Sequence, residues 1–156
     1  MKTRIVKLTE KQALELSEDL NKLLANFQIF YQNMRGLHWN IKGKNFFELH
    51  VKFEEIYLDS QEKIDMIAER ILTLEHVPLH TFDAYLKQAT IPVGKNITSG
   101  EKAVKLVVSS LETLLSQEHN LLDKSADFAD EGTNAMISDF VSEQEKTLWM
   151  FKAWLA

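Results

Sequence analysis

Apolar residues recur along most of this chain at steps of three and four, the period of one helix face. The first run is Ala13, Leu16, Leu20, Leu23, Phe27, Phe30 and Met34. Thr9 followed by Gln12 has the capping-box pattern, so a first helix is expected to start there. It is expected to end near Gly36, with Lys42-Gly43-Lys44-Asn45 as the turn. A second helix is predicted from about Asn45 to Glu75 on the stripe Leu49, Phe53, Ile56, Ile64, Ile67, Ile71 and Leu74. A third begins at Thr98 or Ser99, with Glu101 completing a capping box. It carries Val104, Val107, Leu111, Leu114, Glu118, Leu121, Leu122 and Ala126, and Gly132 is its expected C-terminal cap. Thr133 then caps a fourth helix on Met136 or Ile137, Phe140, Leu148, Phe151 and Leu155.

Residues 76–98 separate the second and third helices and hold both prolines, Pro78 and Pro92, and Gly94. The segment has room for one short helix near Phe82 to Gln88. A connection this long suits a bundle whose second and third helices run parallel, as in ferritin-like folds. The expectation is a single all-α domain over residues 1–156: a four-helix bundle with a long crossover, preceded by a short arm at residues 1–8.

The second helix has a second stripe one residue along: His50, Glu54, Tyr57, Gln61, Asp65, Ala68 and Leu72. A purely solvated face would not mix Tyr, Ala and Leu with its charges, so this stripe reads as a subunit interface holding a polar site. His50 and Glu54 are four apart, as are Asp65 and Glu69, and pairs at that spacing share a helix face. His with carboxylate suits iron, manganese or zinc rather than a soft copper site.

His50 and Asp65 lie fifteen residues apart on this helix. They differ by only about 60° in azimuth but by roughly 22 Å along the axis. No one metal ion can touch both within one chain. Either the groups are unrelated, or an antiparallel second copy brings its Asp65 and Glu69 to His50, as a two-fold dimer does with two equivalent sites.

The stretch LHWNIKGKNFFELHVKFEEIYLDSQEKIDMIAER, from Leu37 to Arg70, resembles the Dps family of small ferritin-like proteins. The shared features are the His38–Trp39 pair, His50 twelve residues after His38, an acid at Glu54, and Asp-x-x-x-Glu at Asp65 and Glu69. The DEGTN turn near residue 130 and the LWMFKAWL ending extend the likeness over nearly the whole chain. The resemblance implies an iron-oxidising site between two subunits, with His38 and His50 from one and Asp65 and Glu69 from the other. Glu54 would be a looser ligand or an outer group. Trp39 would lie beside the site, as a sacrificial electron donor or as interface packing. It further implies oxidation of Fe(II), preferably by hydrogen peroxide with oxygen as the alternative oxidant. The ferric product would be stored inside a homo-oligomeric shell of twelve subunits, protecting against oxidative damage. Relatives carry an acid at the position of Ala135 that lines an iron pore; here Asp130, Glu131 and Asp139 are the nearby acids that would serve.

Composition narrows the alternatives. There are no cysteines, which excludes thiolate ligands and a disulfide scaffold. No Glu-x-x-His occurs: the residues three before the histidines are Arg35, Phe47, Thr73, Val77 and Ser116. The usual di-iron centre inside one bundle is therefore not expected. No apolar run approaches the ~18 residues of a membrane span. The N-terminus has no apolar signal region, so a cytoplasmic location is expected, at the nucleoid if DNA is bound. The net charge of −5 argues against a DNA-compacting structural protein, the runner-up function, because phosphate contact needs Lys and Arg. The arm offers only Lys2, Arg4 and Lys7. A four-helix adaptor without metal is the third reading, and the spacing of the ligand-type residues argues against it.

Overall fold

A computed structural model describes residues 5–156. Among the described residues there are five helices and no strands: α1 Glu10–Asn40, α2 Phe46–Thr73, α3 Phe82–Gln88, α4 Gly100–Asp127 and α5 Glu131–Leu155. Residues 1–4 of the N-terminal arm, including Lys2 and Arg4, lie outside the described residues. The four long helices form a ferritin-like bundle. α1 packs mainly on α2 and α4 mainly on α5, while α1 also meets α4 and α3. No described helix is long and apolar enough to cross a membrane.

Each amphipathic stripe turns inward. Leu16, Leu20, Leu23, Phe27 and Met34 of α1 are fully buried, as are Phe53, Ile67 and Ile71 of α2 and Val104, Val107 and Leu114 of α4. Phe27 sits edge-on to Phe140 of α5, with centroids 6.1 Å apart. Ile64 and Leu122 are only partly buried and Ala126 is exposed, while Ser60, Lys63 and Ser125 are buried instead. The inward track of α2 thus continues through two polar residues that hydrophobicity alone does not select.

Helix starts follow their caps. Thr9 and Gln12 form the expected capping box. Ser99 caps α4 by accepting from the Lys102 amide, so the box with Glu101 does not form. α5 is capped by Asp130, which accepts from the Thr133 amide; Thr133 is not the cap but the third residue of the helix.

Two helix ends differ from the sequence expectation. α1 does not stop at Gly36 but continues to Asn40. One interior glycine costs a helix only about 1 kcal/mol, and the extra turn buries Leu37 and His38. α4 ends at Asp127, well before Gly132. Its left-handed residue is Ala129 (φ 55°), with the amides of Ala129 and Asp130 bonded to the carbonyls of Ala126 and Ser125. This is a Schellman closure without its usual glycine. α2 ends the same way on Glu75 (φ 67°).

Gly132 serves packing instead. A Cβ there would lie 2.6 Å from the guanidinium of Arg70. Arg70 reaches from α2 to bond Asp130 at 2.6 Å and Thr133 at 2.9 Å, tying the end of α2 to the start of α5.

The crossover is held by three asparagines of α1. Asn21 accepts from the Leu79 amide and donates to the Val77 carbonyl. Asn26 accepts from the amides of Thr90 and Ile91. Asn33 accepts from the Gly94 amide and donates to the Pro92 carbonyl. A carboxamide offers the same donor and acceptor as a peptide unit, so each asparagine satisfies loop backbone that no helix pairs. The short helix α3 spans the residues the sequence suggested.

Candidate metal centre

The α1–α2 turn brings the two histidines of the motif together. Gly43 takes φ +110° in this turn, a conformation that favours glycine. His38 in the last turn of α1 is buried, and His50 near the start of α2 is partly buried. Their rings stack with centroids 3.8 Å apart and 13° between planes. Phe46 stacks on His50 at 4.9 Å, and Tyr57 meets His38 edge-on at 5.4 Å.

The hydrogen bonding is reciprocal. His38 Nδ1 lies 2.6 Å from the His50 carbonyl, and His50 Nδ1 lies 2.7 Å from the His38 carbonyl. A carbonyl only accepts, so each Nδ1 must carry the proton. Each Nε2 is then the lone-pair nitrogen, which is how a metal-ligating histidine is oriented. No pattern of residue types signals this, because the acceptors are the main-chain carbonyls of the histidines themselves.

The carboxylates stand apart from this pair. α2 is one unbroken helix from Phe46 to Thr73, so the fifteen-residue separation of His50 and Asp65 is a real axial distance of roughly 22 Å. Glu54, Asp65 and Glu69 are exposed. Among the described residues no three His, Asp or Glu side chains come close enough to hold a metal. Among the described residues of one chain, the histidine pair and the carboxylates of the motif therefore do not form a closed centre.

Apolar side chains are exposed as well. Trp39 is 57% exposed, and Val51, Leu58, Met66 and Leu72 are exposed along α2. The Arg35 guanidinium lies over the Trp39 ring at 4.9 Å and near Tyr31 at 5.4 Å.

The three acids suggested for an iron path differ. Glu131 and Asp139 are exposed. Asp130 is buried, with its carboxylate engaged by Arg70 and by the Thr133 hydroxyl. It does not present a free charge to a pore; its position as helix cap beside a cation explains why.

A ferritin-like domain matches residues 17–156. The all-helical fold and this match together define a ferritin-like protein. The chain is 36% identical to the DNA protection during starvation protein of Porphyromonas gingivalis, over 94% of this chain and 92% of that protein. The Dps protein of Vibrio cholerae O1 superposes with a TM-score of 0.97 at 49% identity, covering 100% of this chain and 98% of that one. That protein is described as a member of a broad superfamily of ferritin-like diiron-carboxylate proteins. The Dps protein of Bacillus brevis superposes with a TM-score of 0.90 at 32% identity over the whole of both chains. The chain belongs to the Dps family.

Proposed function

We propose that this protein oxidises Fe(II) at a centre shared by two subunits and stores the ferric product inside a shell of twelve. The observation that carries the reading is the reciprocal bonding of His38 and His50. It leaves both Nε2 lone pairs free to bind a metal, and among the described residues no third His, Asp or Glu side chain lies beside them. Asp65 and Glu69 of an antiparallel partner complete the set, with Glu54 as an outer or looser ligand. A two-fold axis generates two such centres per pair.

Iron is the substrate here, and each residue type has a role. Neutral imidazoles bind Fe(II) without adding charge. Carboxylates stabilise the additional positive charge of Fe(III), which favours oxidation. So few protein ligands leave positions open for an oxidant. With hydrogen peroxide, two Fe(II) each give up one electron, the O–O bond breaks, and two protons are taken up to leave two waters. Oxygen is the alternative oxidant, and zinc or manganese, which accept the same ligands, would compete for the site. Glu131 and Asp139 supply negative charge along the iron path in place of the acid missing at Ala135. The similarity to ferritin-like diiron-carboxylate proteins supports the metal chemistry. Relatives named for DNA protection raise DNA binding as a second reading. The charge of −5 per chain weighs against it, since twelve subunits carry 12 × −5 = −60.

Subunit mixing tests the shared centre. One variant carries His38→Ala and His50→Ala, the other Asp65→Ala and Glu69→Ala. Each alone loses rapid iron oxidation. Refolded together, half of randomly formed pairs are mixed and each mixed pair has one intact centre of two, so activity returns to about a quarter of wild type. A centre built within one chain gives no recovery once subunit exchange has been verified.

A further inference from the structure

Near the middle of the bundle, two polar side chains from α4 and α5 meet away from water. Glu118 is fully buried and Gln144 nearly so. Gln144 Nε2 donates to Glu118 Oε1 at 2.7 Å and to the Phe140 carbonyl at 3.1 Å, which uses both amide hydrogens. Two oxygens remain, Glu118 Oε2 and Gln144 Oε1. Both are buried acceptors, and neither has a donor. They belong to the same two groups that are already joined at their other ends. Two buried acceptors without donors are costly, and a hydrogen on Glu118 Oε2 turns that oxygen into a donor for which Gln144 Oε1 is the unused acceptor of the same pair.

We propose that Glu118 is held as the neutral acid and donates its proton to Gln144 Oε1, joining α4 and α5 by a two-bond carboxyl–carboxamide latch that opens when that proton is lost. The Gln144 amide then bonds through all of its atoms, with one hydrogen to Glu118, one to Phe140 and its oxygen to the acid.

The surroundings fit a neutral rather than an ionised Glu118. From α2, Lys63 is the nearest cation, and it is nearly buried itself. Its ammonium is committed to Asp59 and to Glu143 of α5, the latter at 2.8 Å, and it lies over the Phe140 ring. It makes no hydrogen bond to Glu118. From α1, the neighbour of this region is Phe27, edge-on to Phe140. Beside Glu118 on α4, His119 is exposed and reaches Glu145 at 3.5 Å. Burial raises the Glu118 carboxyl to about 8, outweighing the lowering by the Gln144 bond and the Lys63 charge. A cavity of about 130 Å³ has Gln144, Ser60 and Thr147 in its wall and Asp59 and Glu55 among its lining residues, so the Gln144 end of the pair borders open space.

Loss of the proton leaves Gln144 Oε1 without its donor and gives Lys63 a reason to turn inward, away from Asp59 and Glu143. The latch acts within one subunit and is independent of the shared metal centre.

Infrared spectra of the assembled protein in D₂O provide the test, with Glu118→Gln as the reference. Glutamine has the shape of the neutral acid and an N–H where the acid has O–H. The wild type is expected to show the carbonyl stretch of a protonated carboxyl at neutral pH, to lose it as the pH rises past about 8, and E118Q is expected to lack it throughout. The melting midpoint of E118Q is expected to match or exceed that of wild type at neutral pH and to escape the decline that wild type shows as pH rises from 4.5 to about 8. Absence of the protonated-carboxyl band from wild type at neutral pH overturns the latch. So does a decline of equal size in E118Q over the range from 4.5 to about 8. The infrared result on wild type decides the matter even if E118Q folds poorly.

Discussion

The chain carries two polar clusters, and they obey opposite rules. The cluster at the α1–α2 end has its histidines fixed by backbone and its carboxylates exposed 22 Å away, roughly, along the same helix. The cluster in the bundle centre, Lys63, Glu118 and Gln144, is buried and pairs within itself. A buried polar group must find its partners inside its own chain or leave stability behind. An exposed one is under no such constraint, so an incomplete set on an apolar face points to completion by another subunit.

Variants can separate the two rules. The largest effect is expected at the outer cluster: Asp65→Ala with Glu69→Ala should slow rapid iron oxidation by at least the ~10–100-fold that loss of even an outer-shell partner costs. Its melting midpoint should stay near wild type, because both side chains are exposed. Stopped-flow ferric absorbance and calorimetry measure the two. A large fall in stability would show that these carboxylates belong to the fold.

The inner cluster should give the reverse. Gln144→Leu strands Glu118 and should cost roughly 1–3 kcal/mol in denaturant unfolding, while shells that assemble keep their iron oxidation. Gly132→Ala should cost about as much, on the order of 1–3 kcal/mol. The new Cβ displaces the Arg70 guanidinium from the pair with Asp130 and Thr133. Only a shift of Arg70, seen as the loss of that pair in a crystal structure of the variant, would account for such a cost at an exposed glycine.

A smaller effect is expected from pH. Glu118 is raised from an ordinary 4.5 to about 8 in the folded chain. Between those values the folded state binds more protons than the unfolded one, so the contribution of Glu118 is full below 4.5 and declines as pH rises through about 8. The slope is on the order of 1 kcal/mol per pH unit for one group. Melting midpoints across that range measure it, and a flat profile would place Glu118 outside the balance. The smallest change should follow Trp39→Phe, which keeps an apolar ring on the exposed face. Iron oxidation should change by less than about twofold if Trp39 packs rather than reacts, since 1.4 kcal/mol corresponds to tenfold. A large loss would assign it electron transfer.

Residue order alone determined a good deal. The three-and-four spacing of apolar residues predicted four long helices, because a helix has to bury one face. Pro78, Pro92 and Gly94 marked the crossover, and the short helix Phe82–Gln88 lay where the sequence had room for it. The spacing of His50 and Asp65 already kept one metal ion from touching both within one chain, because helix rise is fixed by the backbone.

Tertiary structure decided what side-chain type does not encode. α1 runs past Gly36 because packing of Leu37 and His38 outweighs one glycine. α2 and α4 close on Glu75 and Ala129, where neighbouring contacts impose a left-handed residue that local preference would give to glycine. Nothing in the sequence marks Asn21, Asn26 and Asn33 as the residues that hold the crossover backbone. The ring nitrogens of His38 and His50 are set by each other's carbonyls, and Asp130 is claimed by Arg70, sixty residues away in sequence. In each case the deciding partner is main chain or a distant residue, and contacts of that kind exist only once the chain has folded.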